Sequence, residues 1–512
     1  MRVLLLYPVF PKTFFSYDKP IKYMGKKAFS SPLGLITVAA ILPQKWEFKL
    51  VDRNIRDVTE EEWDWAELVM ISAMIVQKKD FHDQVQESKR RGKPVAVGGP
   101  YATSFIHEVQ NSEADYLVLD EGEMTIPPFL AALERGESNG IFRSAEKPDI
   151  TQTPIPRYDL LELDAYIDMS VQFSRGCPFL CEFCDITVLY GRKPRTKTPA
   201  QIIRELECLY DLGWREQVFM VDDNFIGNKR NVKELLRELK GWMEKKNYPF
   251  FFYTQTSVNL AKEQELMELM VECGFIAVFL GIESPDESVL ASTNKSQNLG
   301  NSLIESVKAI NQAGLLIIAG FIIGFDGEKS GIGKRIVKFV EEAAIPTALL
   351  GILQALPNTA LWHRLEKEGR LLDQRAFSQT SLMNFVPTRP IEEVAYDYVE
   401  AFWQIYEPKR YLNRVTRQLT NMKISNIQKT IRKKQKSASF NWKMFKMSIM
   451  LIWQFGVVKQ TRWIFWSFML KNIWLHPSQA EDALKLYSLM EHFSDYRQII
   501  RDDITAQLAA GK

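Results

Sequence analysis

Short apolar runs at residues 3–7, 48–51, 68–75, 94–97 and 116–119 punctuate the first part of the chain. They are nearly continuous rather than alternating, which suits parallel strands covered on both faces. Between them, segments such as 34–42, 81–91 and 124–133 carry helical spacing. This alternation predicts a doubly wound α/β domain over residues 1–135, with a ligand crevice at the strand carboxyl ends. Candidate crevice residues are Ser72, Gly98, Gly99, Glu121, Gly122 and Glu123, the glycines allowing backbone to approach a bulky ligand. Breakers (Gly136, Gly140, Pro148, Pro154, Pro156) then suit an extended linker over 136–168.

The rhythm resumes at Met169. Apolar runs at 171–173, 218–221, 250–253, 277–280, 317–323 and 348–353 each end in polar or small residues. Parallel barrels place ligand contacts at such strand ends. Here they are Asp222, Asp223 and Asn224, then Gln255, then Glu283, with Gly324 and Gln354 after the last two runs. Six units over 169–388 are too few for an eight-stranded closed barrel. Thr198 and Pro199 are placed to cap and open a helix. A helical pattern over 391–406 begins a C-terminal region, 389–512.

Charge changes the picture only there. The whole chain has a net charge of +2, yet residues 411–480 hold thirteen Lys or Arg and no Asp or Glu, leaving the remainder near −11. The same stretch contains Trp442, Trp453, Trp463, Trp466 and Trp474. Three readings stand. The stretch is a helical domain with tryptophans in its core, or a surface for an anionic membrane, or a nucleic-acid surface. No recognition motif accompanies the third, so no nucleic acid is expected. No run reaches the roughly 20 apolar residues of a membrane span, and residues 3–7 are too few for a signal-peptide core.

Three of the five cysteines fall at Cys177, Cys181 and Cys184, spaced C-x3-C-x2-C. Thiolates on one loop suit a soft iron centre, and three of them would leave the fourth iron of a [4Fe–4S] cube open. A structural zinc site needs a fourth ligand, and Cys208 is the nearest candidate. A disulfide would suit a secreted protein, whereas scarce, clustered cysteine argues for a reducing, cytoplasmic setting. Cys208 and Cys273 lie in helical patterns and read as ordinary buried thiols.

The spacing, with Phe183 before the last cysteine, resembles the signature of radical S-adenosylmethionine (SAM) enzymes. The six strand units resemble their partial (β/α)6 barrel. The resemblance implies Cys177, Cys181 and Cys184 as cluster ligands. It implies Asp222, Asp223, Asn224, Gln255 and Glu283 as contacts to the SAM amino group and ribose, and strand 320–324 as a wall for adenine. The first third, with its Glu121-Gly122-Glu123 turn, resembles the cobalamin-binding domains that precede many such cores. It departs from them in having no histidine before His82, so the D-x-H-x-x-G loop ligand is missing. The N-terminal domain, the Ser174-Arg175-Gly176-Cys177 loop and the segments 222–228 and 353–359 are together similar to the branch that includes the hopanoid C-2 methylases.

That resemblance implies a [4Fe–4S] cluster, SAM and cobalamin as cofactors, and a low-potential electron donor such as ferredoxin or flavodoxin. The expected activity is methylation of an unactivated carbon in a lipid-like small molecule by a cytoplasmic enzyme in contact with a membrane surface. A non-methylating cyclase or rearrangement enzyme of the same architecture is the alternative, and a cobalamin or redox sensor a third reading. No catalytic residue is singled out, and neither the substrate nor the oligomeric state can be read from these motifs.

Overall fold

The computed structural model describes residues 1–372, 377–438 and 442–510, with backbone only at 432, 435–438 and 442–447. Trp442, Arg432, Lys436, Lys443 and Lys446 thus have side chains outside the described residues.

Two parallel sheets organise the chain. The first has six strands in the spatial order Glu47–Asp52, Arg2–Tyr7, Leu68–Ser72, Val95–Gly98, Tyr116–Val118 and Gly140–Phe142. Its strand Arg2–Tyr7, paired on both sides, shows why the run is continuous: Leu4 and Leu6 enter one apolar cluster while Val3 and Leu5 enter another on the opposite face. The strand Gly140–Phe142 lies in the breaker-rich segment and closes the far edge against Tyr116–Val118.

The second sheet has seven parallel strands, ordered Thr347–Ile352, Leu316–Ile323, Phe275–Glu283, Phe251–Thr256, Gln217–Met220, Tyr166–Val171 and Ala28–Ser30. Six are the expected barrel strands, and the sheet curls into a half-barrel. The strand before the cysteines runs earlier than its apolar pattern suggested, over Tyr166–Val171 rather than 171–173. The seventh comes from the N-terminal part of the chain. After leaving the first sheet, residues 10–31 form a strap that seats Phe14 on Phe493, rings 4.9 Å apart, and then pairs Ala28 with Tyr166 at the barrel edge.

Helices cover the outer face of the half-barrel. Pro199–Asp211 opens as expected, with Thr198 accepting from the Gln201 backbone N–H at 3.3 Å and Gln201 reaching back to complete a capping box. Beyond the barrel, Ile391–Ile405, Pro408–Asn421 and the long Ala480–Ala510 share one continuous apolar core with it. Helix Ile391–Ile405 lies so close to Ile332–Glu342 that a Cβ on Gly333 would meet the Asp397 carbonyl oxygen at 2.3 Å. No helix among the described residues is long and apolar enough to cross a membrane.

Candidate active site

The carboxyl ends of both sheets open on one cavity of about 940 Å³. Open α/β sheets bind ligands at this end of their strands. The first sheet contributes Ser72, Gly98, Gly99, Glu121, Gly122 and Glu123 to the lining, and the half-barrel contributes Gln172, Arg175, Tyr190, Asp223 and Gln255. The strap adds Phe15, Ile21 and Phe29. Eight of the expected contact residues therefore meet around one space. Asp222, Asn224, Glu283 and the three cysteines lie outside its lining.

On the first-sheet side part of the wall, at Gly98 and Gly99, is backbone. Gly99 has φ +85°, and a Cβ there would lie 2.4 Å from Ser72 Oγ; one on Gly98 would lie 2.6 Å from the Val118 carbonyl oxygen. A side chain cannot enter at either position without displacing its neighbour, so the main chain itself faces the cavity. Glu121 and Glu123 are turned to a different task. Arg175 Nη1 donates to Glu121 Oε2 at 2.8 Å and to Glu123 Oε2 at 3.0 Å, and Arg195 Nη2 donates to Glu121 Oε1 at 2.7 Å. Burial works against the Glu123 charge, but Arg175 outweighs it and holds the carboxyl below its ordinary range. This latch ties the rim of the first sheet to the residue two positions before Cys177.

The cysteine loop is positioned by the barrel strands. Gly176, with φ +95°, turns the chain where a Cβ would meet the Gly191 carbonyl oxygen at 2.8 Å, and the Cys177 N–H donates to that oxygen at 3.2 Å. Asp222 is fully buried beneath the loop, accepting from the backbone N–H groups of Phe173 (3.1 Å) and Ser174. Burial pushes its carboxyl up to about 6 against those hydrogen bonds. Both Asp222 oxygens are taken by backbone, so the residue serves the loop rather than the cavity. Asn224 Oδ1 accepts from the Ser257 N–H and hydroxyl, each at 3.3 Å, beside Cys177. Asp223 points into the cavity. Its Oδ2 is buried with no hydrogen-bond partner among the described residues, and burial with Asp222 and Asp185 nearby pushes it up to about 7.

A second charged pair stands on the far side of the cysteines. Glu283 sits at a register shift in its strand with φ +64°, a conformation a non-glycine residue adopts at a cost of order 1–3 kcal/mol. Its Oε1 accepts from Lys295 Nζ at 2.7 Å. Burial works against the Lys295 charge, but Glu283 and then Cys181 and Cys184 hold it above the ordinary lysine value. Gln297 Nε2 donates to Cys181 Sγ at 3.5 Å. Arg175, Arg195, Lys295 and Gln297 were not singled out in the sequence. Arg175 had a signal, being inside the cysteine motif, whereas Arg195 lies in the short strand Arg195–Thr196 and Lys295 and Gln297 at the 3-10 turn Ser296–Asn298, none of them marked by a motif.

Cys177, Cys181 and Cys184 are half-buried on one loop, and burial pushes the Cys184 thiol up to about 12. No three His, Cys, Asp or Glu side chains among the described residues converge on a single ion. Three thiols spread along one loop are a donor set for a multi-iron cluster. Cys208 is half-buried in helix Pro199–Asp211, and buried Cys273 donates to the Leu236 carbonyl at 3.1 Å.

Residues 171–340 match the radical SAM superfamily, and residues 359–506 match a domain of unknown function. The chain is 59% identical over 510 residues to an uncharacterized methyltransferase of Synechocystis sp., covering 99% of this chain and 94% of that one. It is 33% identical over 502 residues to the hopanoid C-2 methylase of Rhodopseudomonas palustris, covering 97% and 93%. The chain belongs to the radical SAM methyltransferase family. Membership makes it an enzyme that uses SAM and an iron–sulfur cluster. Among solved structures, the radical SAM methyltransferase TsrM of Kitasatospora setae, bound to cobalamin and a [4Fe–4S] cluster, is similar at a TM-score of 0.63 and 15% identity, over 85% of this chain and 99% of that one. The cobalamin-dependent radical enzyme OxsB with aqua-cobalamin bound gives a TM-score of 0.59 at 15% identity, over 100% and 81%. The first sheet and the half-barrel of this radical SAM protein are thus a known pairing of folds.

Proposed function

We propose that this radical SAM enzyme methylates an unactivated carbon of a lipid-like, hopanoid-type molecule, with cobalamin seated in the cavity between the two sheets. The observation that carries the reading is the cavity itself, large, with bare backbone at Gly98 and Gly99 on one side and polar strand ends near the cysteine loop on the other. The strap's Phe15, Ile21 and Phe29 make part of its wall apolar, which suits a hydrocarbon substrate.

When bound, the cluster and SAM supply hydrogen abstraction from an unactivated carbon, and methylcobalamin supplies the methyl group. The protein's part is placement. Cys177, Cys181 and Cys184 hold the cluster, and Asp222 and Gly176 fix the loop that carries them. In this reading Asn224, Gln255 and Glu283 contact SAM, with strand 320–324 along the adenine. Asp223, with its unpartnered oxygen, is the polar group best placed to meet a ligand in the cavity. Gly98 and Gly99 let the first sheet lie against cobalamin, while Glu121 and Glu123 act through Arg175 to hold the sheets in register. A low-potential donor such as ferredoxin or flavodoxin feeds the cluster.

The test is anaerobic. The protein is reconstituted with iron, sulfide and cobalamin, then given SAM, a low-potential reductant and a lipid extract. Lipid-dependent deoxyadenosine and S-adenosylhomocysteine in comparable amounts, with a mass gain of one methylene on a lipid, is the expected result. Deoxyadenosine without S-adenosylhomocysteine would instead indicate a cyclase or rearrangement enzyme.

A further inference from the structure

Helix Trp442–Trp453 continues through a π turn, Gln454–Val458, and is followed by helix Arg462–Leu475. The two pack mainly on Ala480–Ala510, with further contacts to the strap at Tyr23 and to helix Pro408–Asn421, where Asn472 Nδ2 donates to Thr416 Oγ1 at 3.2 Å. Phe455 and Phe465 pack on Tyr487 with ring centroids 5.3 and 5.0 Å away, and Phe468 joins them at 5.6 Å. Trp466 Nε1 donates to the Gly456 carbonyl at 2.9 Å, locking the helices together.

The outward faces are apolar as well. Trp453 is 60% exposed, Trp463 74%, Leu470 62% and Trp474 82%. Among the described residues, about half of all exposed large hydrophobic side chains fall within 449–475. The sequence reading that placed these tryptophans in a core therefore fails for Trp453, Trp463 and Trp474, and Trp466 is half-buried. A contiguous exposed apolar surface on a folded chain marks something that covers it.

Charge decides what that is. No acidic residue occurs from 411 to 480, and the exposed cations Arg462 and Lys471 flank the apolar side chains. Lys429, Lys433 and Lys434 are exposed on helix Asn426–Ala438, which precedes the pair in sequence. A second copy meeting this face about a two-fold axis would bring basic surface against basic surface. Nucleic acid would satisfy the cations but leave the indoles and leucine uncovered. An anionic bilayer satisfies both, taking indole at the headgroup level and aliphatic side chains below it.

We propose that this helical pair docks on the surface of an anionic phospholipid bilayer, lying in the interface without crossing it. The inference does not rest on the proposed methylation. It does bear on access, because Phe455 also packs on Tyr23 of the strap, centroids 5.6 Å apart, and the same strap carries Phe15, Ile21 and Phe29 into the cavity wall. The docked face and the cavity thus share one structural segment.

The test uses the full chain, with no cofactor or substrate needed. It is floated with phosphatidylcholine vesicles, or with vesicles in which about a third of the lipid is phosphatidylglycerol. The expected result is co-flotation with the anionic vesicles, weakening as salt rises, with a blue shift of tryptophan emission. The triple variant Trp463→Ser, Leu470→Ser, Trp474→Ser changes only exposed side chains, and retention of the wild-type circular dichroism and Tm shows that it folds. It should lose binding by at least about tenfold, and Arg462→Glu with Lys471→Glu should remove the preference for anionic lipid. Flotation that the triple variant leaves unchanged would overturn the proposal. So would an absence of flotation, whether or not the wild type self-associates through this face.

Discussion

The two sheets meet the same cavity with different kinds of edge. The first presents main chain at Gly98 and Gly99 and turns its two rim carboxylates, Glu121 and Glu123, away into a latch on Arg175. The second presents side chains, with Asp223 and Gln255 in the wall and the cysteine loop behind them. One edge is shaped for close contact over a broad flat group, and the other is built to hold chemistry in place. Buried charge is correspondingly costly on the second side. Asp168 is fully buried in the strand that leads to the cysteines, with Oδ1 unpartnered among the described residues and Oδ2 accepting from the Tyr253 hydroxyl.

Breaking the second edge should have the largest effect. Cys181→Ala is expected to reduce deoxyadenosine formation by more than about 100-fold while the protein stays folded, because the cluster loses one of its three thiolates; near-normal formation would remove the cysteine assignment. Next in size is the latch between the edges. Arg175→Gln leaves Glu123 buried without its cation, and loss of one partner of a buried pair typically costs about 3 kcal/mol. Denaturant unfolding should show this loss, with cobalamin retention falling in parallel.

A smaller effect sharpens the contrast through pH. Burial raises the Asp168 carboxyl from its ordinary 3.8 to about 7. Between those values the folded chain keeps a proton that the unfolded chain has released, so this residue makes stability fall as pH rises from about 4 to about 7. Asp168→Asn, which still offers Tyr253 an acceptor, should flatten that fall and be more stable than the parent at pH 8 by about 2 kcal/mol. An unchanged pH profile would mean the site is wetter than its burial indicates. The smallest expected effect tests the backbone edge. Gly99→Val places methyl groups where even a Cβ would be 2.4 Å from Ser72 Oγ. It should weaken cobalamin retention about tenfold, roughly 1.4 kcal/mol, and leave iron content and SAM cleavage near normal.

Much of this architecture is legible from hydrophobic pattern, for a physical reason. Strands buried on both faces must be apolar throughout, so the runs at 3–7, 68–75 and 317–323 announce themselves. The strand Tyr166–Val171 escapes because Asp168 interrupts its run, and the pairing that buries Asp168 involves Tyr253, far along the chain. Ala28–Ser30 escapes for a related reason. Three residues between Lys27 and Ser31 carry no periodicity, and their strand exists only because Tyr166–Val171 offers an unpaired edge. Within the site, the cysteines are legible from spacing alone. The roles of Asp222 and of Glu121 and Glu123 are not, because whether a carboxylate meets a ligand, a backbone N–H or an arginine is settled by tertiary placement.

The strap has a consequence for how the protein is made. Phe14 stacks on Phe493, and the His492 ring donates from Nε2 to the Phe14 carbonyl at 2.9 Å, so residues near the start of the chain are completed by residues near its end. On the ribosome the first sheet can assemble early, since its six strands are all synthesised by residue 142. The strap cannot. Phe14 must wait until some 480 further residues have emerged to meet His492 and Phe493, a contact of very long sequence separation and correspondingly slow closure. A nascent chain released before Ala480–Ala510 should therefore carry a folded first sheet joined to a chaperone-accessible segment, and Phe14 would dock only once that helix has emerged.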